Sequence, residues 1–122
     1  MEFRIVLAED DPQIARLVTF KLDREGYVTT WADDGGKAYD TIVSTVPDLV
    51  ILDVMMPVMT GFEVLEKMKK NDLVSHIPVI MLTSKSQEQD VLKGFSLGIS
   101  DYIIKPFSPS ELLARIKRTL DV

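Results

Sequence analysis

The sequence predicts an α/β protein in which helices cover both faces of an open, doubly wound parallel sheet. Five short apolar runs alternate with five segments of helical periodicity, the order that parallel sheets with right-handed crossovers produce. Most of these runs are apolar at successive positions, as expected for strands buried on both faces. The length of 122 residues suits one globular domain, so we assign residues 1–122 to a single domain.

The five predicted strands are too short to be helices and are bounded by Pro, Asp or Gly. Four of them are apolar at most or all positions, whereas the second, YVTTWA, is mixed and suits an edge of the sheet. In chain order the predicted strands are residues 3–8, 27–32, 49–52, 79–82 and 102–104.

The predicted helices are marked by capping residues as well as by periodicity. Asp11 is the expected N-cap of the first helix, with Pro12 at its first position and Gly26 as its stop. Ser108 and Glu111 predict a capping box at the start of the last helix. The three helices between them are expected at about residues 36–44, 61–70 and 87–97.

Composition excludes several functional classes. The net charge of −5 argues against direct nucleic-acid binding, because clustered Lys and Arg are needed to grip phosphate backbones. The chain has no Cys, which excludes a disulfide framework and a thiolate metal site. No apolar run approaches the roughly 20 residues of a membrane span, and the N-terminus has no signal-peptide pattern, so a cytoplasmic protein without a membrane role is expected.

Polar residues follow four of the predicted strands at the point where each strand ends. The first strand is followed by Glu9 and Asp10, the third by Asp53, the fourth by Thr83 and the fifth by Lys105. Because ligands of open α/β sheets bind beyond the carboxyl ends of the strands, these side chains should converge at one edge. Each residue alone fits a turn or a solvated loop, but their joint occurrence favours a site for a hard metal ion and a phosphate.

A cluster of Glu9, Asp10 and Asp53 requires a cation or an extra proton. Two carboxylates about 4 Å apart repel by roughly 4 kcal/mol at an effective dielectric of about 20. Mg²⁺ suits such a cluster because it prefers carboxylate oxygens, waters and phosphate, whereas zinc prefers His or Cys ligands. The single His76 lies in a loop before a strand and is expected to be an ordinary exposed residue.

Four motifs occur in order along the chain: Glu9-Asp10, Asp53 within DVMMPVMTG, Thr83-Ser84, and Lys105-Pro106. In this order and spacing the chain resembles the CheY-like receiver domain of two-component response regulators over nearly its whole length. The segment SDYIIKPFSPSELLARIK at residues 100–117 is most similar to the OmpR/PhoB type. The resemblance implies a flavodoxin-like sheet in the order 2-1-3-4-5 and a cis peptide bond before Pro106.

The resemblance also implies a chemical role for each acidic residue. Asp53 would be the nucleophile that takes a phosphoryl group from a phosphohistidine of a sensor histidine kinase. Mg²⁺ would be held by Asp10, by Asp53, by the main-chain carbonyl of Met55, and by Glu9 directly or through water. Such a protein is a switch that assists its own phosphorylation and dephosphorylation, and not a turnover enzyme.

Three further residues take part in the implied switch. Lys105 and the Thr83 hydroxyl would bind the remaining phosphoryl oxygens. Thr83 would then move toward the phosphoryl group, and Tyr102 would rotate into the space that it leaves. The face formed by helix 4, strand 5 and helix 5 would change, promoting a homodimer and controlling transcription through an effector domain that is absent from this chain.

Three alternatives differ in the residues they require. A haloacid-dehalogenase-type phosphatase also uses an Asp nucleophile, but it needs a second Asp where this chain has Met55. Nucleotide binding would need a glycine-rich phosphate loop, and neither GxGxxG nor a Walker A sequence occurs. A pseudo-receiver, which keeps the fold as a protein-binding module without phosphorylation, remains open despite the intact acidic residues.

Overall fold

The computed structural model describes residues 2–84 and 90–121 of the chain. Five parallel strands form one sheet in the order β2-β1-β3-β4-β5, which confirms the predicted topology. The strands are β1 (Arg4–Ala8), β2 (Val28–Ala32), β3 (Leu49–Asp53), β4 (Val79–Ser84) and β5 (Asp101–Lys105). Their ends differ from the predicted ends by at most two residues, and Asp53, Thr83 and Lys105 lie within strand ends rather than just after them.

Five helices connect and flank the strands. They are α1 (Pro12–Arg24), α2 (Gly35–Thr45), α3 (Gly61–Lys69), α4 (Asp90–Ser96) and α5 (Pro109–Leu120). The predicted start of the fourth helix, at residue 87, lies outside the described residues. None of the described helices is long and apolar enough to cross a membrane.

Alternate residues of the central strands point to opposite faces of the sheet and build two cores. Val6, Val50 and Leu52 pack with α2 and α3 on one face. Ile5, Leu49 and Ile51 pack with α1 and α5 on the other face. All five residues of β3 are buried, which explains why its sequence is apolar at successive positions up to Asp53.

The helix starts confirm one predicted cap and correct another. The Asp11 side chain accepts the N–H of Gln13, with Pro12 at the first helical position, as predicted. Ser108 accepts the N–H of Glu111, but the Glu111 carboxylate lies 3.6 Å from Arg115, so only half of the predicted capping box is formed. A full capping box occurs instead at α3, between Thr60 and Glu63.

Two further expectations about single residues are met. The peptide bond between Lys105 and Pro106 is cis, as the family resemblance implied. His76 is exposed, as expected for an ordinary loop residue.

Candidate functional site

The sheet brings the predicted acidic residues to one edge. Glu9 and Asp10 follow the end of β1, next to Asp53 at the end of β3. These three residues and Lys105 line an open cleft of about 350 Å³ beyond the strand ends. Asp53 and Glu9 are buried, whereas Asp10 is exposed at the cleft mouth. We call Glu9, Asp10 and Asp53 the carboxylate cluster.

Lys105 reaches two members of the carboxylate cluster at once. Its Nζ donates a hydrogen bond to Oδ2 of Asp53 at 2.9 Å. The same Nζ lies 2.9 Å from Oε1 of Glu9, but this contact has the geometry of an ion pair and not of a hydrogen bond. Oε1 of Glu9 is therefore a buried oxygen without a hydrogen-bond partner among the described residues. Among the residues that the structure describes, the Lys105 ammonium does not satisfy every oxygen of this cluster.

The pKa shifts report the same excess of negative charge. Burial, followed by the neighbouring Asp53 carboxyl, raises the pKa of Glu9. Burial and then Glu9 raise the pKa of Asp10. Burial acts to lower the pKa of Lys105, but its close contacts with the Glu9 and Asp53 carboxylates outweigh that effect and raise it. The ammonium is therefore held in its charged form, while two carboxyls resist losing their protons.

The carboxylate cluster fits a divalent metal ion. One carboxylate oxygen from each of its three residues lies within 4.8 Å of the others. All the donors are oxygens, which suits a hard cation. Oε1 of Glu9, which has no hydrogen-bond partner among the described residues, offers a further ligand or a partner for a bound water. Met55 lines the same cleft, with an exposed side chain.

Thr83 is placed differently from the other predicted site residues. Its side chain is buried, and its hydroxyl donates to the main-chain carbonyl of Ser84 at 3.2 Å. Thr83 lines a small apolar cavity beneath α4 that it shares with Tyr102, whereas Ser84 lines the carboxylate cleft. The half-buried Tyr102 ring packs edge-on against Phe95, with 5.9 Å between the ring centroids.

Two contacts next to the cleft help to hold its shape, and neither was predicted from the sequence. The Trp31 Nε1–H donates to the main-chain carbonyl of Glu9 at 2.7 Å. Gly61, the first residue of α3, lies so close to the end of β3 that a Cβ there would collide with the main-chain oxygen of Asp53. A lone Trp at the end of an edge strand and a Gly opening a helix were the only sequence signals of these contacts.

A second charged cluster lies at the opposite end of β5. The Asp101 carboxylate is buried and accepts hydrogen bonds from Arg115 at 2.9 Å and from Arg118 at 2.6 Å. Arg115 also donates to the main-chain carbonyl of Tyr102 at 3.0 Å. We call Asp101, Arg115 and Arg118 the arginine cluster; it connects α5 to the strand that carries Tyr102.

Comparison with known families identifies the chain. The model of the response regulator receiver domain matches residues 5–117. The chain belongs to this family. It is therefore the receiver domain of a two-component response regulator, a signalling switch, as the motifs implied.

The receiver domain has relatives that regulate transcription. It is 41% identical over 117 residues to the DNA-binding dual master transcriptional regulator RpaA of Synechocystis, covering 96% of this chain and 48% of that protein. It is 39% identical over 116 residues to the phosphate regulon transcriptional regulatory protein PhoB of Pseudomonas aeruginosa, covering 95% of this chain and 51% of that protein. The chain thus spans about half the length of these relatives.

Solved structures agree with the receiver fold. A putative response regulator from Chloroflexus aurantiacus superposes with a TM-score of 0.93 at 30% identity, with full coverage of both chains. The chemotaxis response regulator CheY4 of Vibrio cholerae gives a TM-score of 0.91 at 30% identity, covering 97% of this chain and 98% of that one.

Proposed function

We propose that this receiver domain accepts a phosphoryl group on Asp53 from the phosphohistidine of a sensor histidine kinase. The observation that carries the proposal is the Asp53 carboxylate, buried at the sheet edge, bonded to Lys105 and lying beside the buried carboxylate of Glu9. An Asp53 oxygen would attack phosphorus, forming an O–P bond while the N–P bond breaks and the imidazole leaves with the electron pair.

The carboxylate cluster supports a role for magnesium in this transfer. The carboxylates of Glu9, Asp10 and Asp53, with the main-chain carbonyl of Met55, would hold Mg²⁺, with Glu9 acting directly or through a water. When bound, Mg²⁺ supplies positive charge for the phosphoryl oxygens. Mg²⁺ usually keeps several waters when it binds a protein, which suits an exposed Asp10 at the cleft mouth.

Lys105 and Thr83 would serve the phosphoryl group from the protein side. Lys105 already reaches Asp53 and keeps its proton, so it can bind a phosphoryl oxygen with little rearrangement. Thr83 must first give up its bond to the Ser84 carbonyl. Thr83 and Tyr102 line the same cavity beneath α4, which supports the proposal that Thr83 is the switch and that Tyr102 responds to its movement.

The output would appear on the face formed by α4, β5 and α5. Asp101, Arg115 and Glu111 are paired within the chain here, so a dimer that used them would have to exchange partners. Leu92 and Phe95 of α4 are exposed and offer apolar contacts, whereas Val91 is partly buried.

We expect a monomer without phosphorylation and a weak, salt-sensitive homodimer when beryllofluoride mimics the phosphoryl group. Sedimentation velocity tests this, and a strictly monomeric activated protein would refute it.

Two statements about the whole protein complete the proposal. The named relatives are DNA-binding or transcriptional regulators about twice as long as this chain, which supports control of transcription through an effector domain. The net charge of −5 supports the proposal that residues 1–122 do not bind nucleic acid directly. We also propose that the receiver forms one domain and acts in the cytoplasm, where its kinase partner would meet it.

Phosphoryl transfer is tested with small donors. Acetyl phosphate or phosphoramidate with Mg²⁺ should add one phosphoryl group, seen by intact-mass spectrometry, and Asp53→Asn should abolish the addition. Asp48→Asn, an exposed carboxylate away from the cleft, is the matched control and should be labelled like the native protein. Full labelling of Asp53→Asn would overturn the assigned nucleophile. A native protein that takes no label would favour the pseudo-receiver.

A further inference from the structure

Trp31 is the only Trp in the chain and lies one residue before the end of the edge strand β2. Its indole N–H donates to the carbonyl of Glu9 at 2.7 Å, and the N–H of Glu9 donates to the carbonyl of Ala32 at 3.1 Å. Both main-chain polar groups of Glu9 are therefore bound by the end of β2. The indole contributes the bond that no backbone ladder supplies.

This bond fixes the peptide plane that enters Asp10. The carbonyl of Glu9 and the amide of Asp10 belong to one rigid planar unit, so orienting the carbonyl orients the start of Asp10. On the far side, the N–H of Asp11 donates to Oε2 of Glu9 at 3.1 Å, and the Asp11 side chain caps α1. Asp10 thus lies between two fixed points, of which Trp31 supplies one.

Packing alone does not account for this position of Trp31. The side chain is 43% exposed, and it belongs to neither hydrophobic core in the described part of the chain. A substantial part of this large aromatic residue therefore stays in solvent, whereas its N–H reaches the main-chain carbonyl of Glu9 in the carboxylate cluster.

We propose that Trp31 is a positioning residue for divalent metal binding, since its indole N–H holds the Glu9–Asp10 peptide so that both carboxylates face the ion. The inference rests on the proposed function, because it assumes that the carboxylate cluster binds Mg²⁺. Partners that orient metal ligands in this way affect metal affinity although they never touch the ion.

The test replaces a single atom group. Because Trp31 is the only Trp, growth of a tryptophan auxotroph on β-(3-benzothienyl)alanine exchanges its N–H for sulfur and leaves the ring shape nearly unchanged. We expect the dissociation constant for Mg²⁺, followed through the amide resonances of Glu9 and Asp10, to rise about threefold to tenfold. Measurements are made where every variant is fully folded, so that a change in folding stability does not enter the constant.

Two controls separate positioning from general support of the strand. Incorporation of 5-fluorotryptophan by the same route keeps the N–H donor and should restore the native dissociation constant within about twofold. Thr29→Val removes another side-chain hydrogen bond of β2, from Thr29 to Asp23 at 2.8 Å, without touching Glu9. That variant should keep native Mg²⁺ affinity even if its melting temperature falls.

The outcomes distinguish this inference from the proposed function. Native affinity in the benzothienyl protein, or an equal loss in Thr29→Val, overturns the role of Trp31 and leaves the phosphoacceptor proposal intact. If the native and fluorotryptophan proteins both fail to bind Mg²⁺ at millimolar concentrations, the metal assignment fails and the role of Trp31 fails with it.

Discussion

The two charged clusters at opposite ends of β5 are built from similar groups but have opposite charge balance. In the arginine cluster, two guanidinium groups bind the single buried carboxylate of Asp101. In the carboxylate cluster, three acidic side chains lie together, and among the described residues the ammonium of Lys105 is the one cation that pairs with them, through Glu9 and Asp53. Both clusters lie at the ends of the same sheet.

The difference shows which cluster is completed by the chain itself. Asp101 has its counter-charges within hydrogen-bond distance, so the arginine cluster can hold α5 on β5 without any added ion. The carboxylate cluster leaves Oε1 of Glu9 without a hydrogen-bond partner among the described residues and raises two carboxyl pKa values. Removing charged side chains should therefore lower the stability of the fold at the arginine cluster and raise its metal-free stability at the carboxylate cluster.

The largest effect is expected in the arginine cluster. Replacing Arg115 and Arg118 together with Gln leaves the buried Asp101 carboxylate without its cations, and the free energy of unfolding should fall by about 3 kcal/mol. Urea denaturation measures the change. Lys117 lies on the same helix as the two arginines, and Lys117→Gln breaks a partly exposed pair with Glu25 at the end of α1. This change should cost at most about 0.5 kcal/mol. Equal stability in the two variants would mean that the pairing of Asp101 contributes nothing.

A smaller effect of opposite sign is expected when the carboxylate cluster receives a cation. Mg²⁺ at ten times its dissociation constant should raise the free energy of unfolding by about 1.4 kcal/mol through mass action. Asp10→Asn should weaken this response and raise the metal-free stability, since it removes one of the crowded carboxylates. Thermal melts with and without Mg²⁺ measure both effects.

The matched control for that variant is Asp72→Asn, which removes the same charge from an exposed turn outside the cluster. It should keep the native Mg²⁺ response, as should the double arginine variant. An Asp10→Asn protein with an undiminished response would show that the ion binds elsewhere.

The smallest effect concerns pH. Burial and Asp53 raise the pKa of Glu9 above its ordinary 4.5, so the folded protein binds this proton more tightly than the unfolded chain does. The contribution of Glu9 to stability is therefore present at low pH and is lost as the pH rises from about 4.5 through the raised pKa. In EDTA, denaturation at successive pH values should show a shallower decline for Glu9→Gln than for Glu66→Gln, an exposed control. Identical pH profiles in the two variants would contradict the raised pKa of Glu9.

The sequence was sufficient to predict where the strands end, because buried parallel strands have nearly continuous apolar runs. Once those runs were placed, the convergence of Glu9, Asp10, Asp53 and Lys105 followed from the topology of an open sheet. Secondary-structure boundaries shifted only slightly, since caps such as Asp11 act within one helical turn.

Contacts that depend on side-chain direction could not be predicted in the same way. The bond from Trp31 joins residues 22 positions apart, and nothing in the sequence specifies which carbonyl an exposed indole will meet. Thr83 was predicted at the correct strand end. Its hydroxyl donates to the Ser84 carbonyl, and the sequence does not specify the direction in which this side chain points. Glu111 was expected to complete a cap, yet Arg115 one turn later offers it an opposite charge.

The close approach of Gly61 to Asp53 also sets how much variation the chain can tolerate. Any side chain at position 61 would push on the main-chain oxygen of Asp53, so even alanine displaces the backbone of the predicted phosphoacceptor. Val58, three residues earlier, is exposed and has a positive φ of 72°, a conformation that glycine adopts more easily. In a saturation library selected for folding, position 61 should therefore retain glycine alone, while position 58 should become enriched in glycine over the native residue.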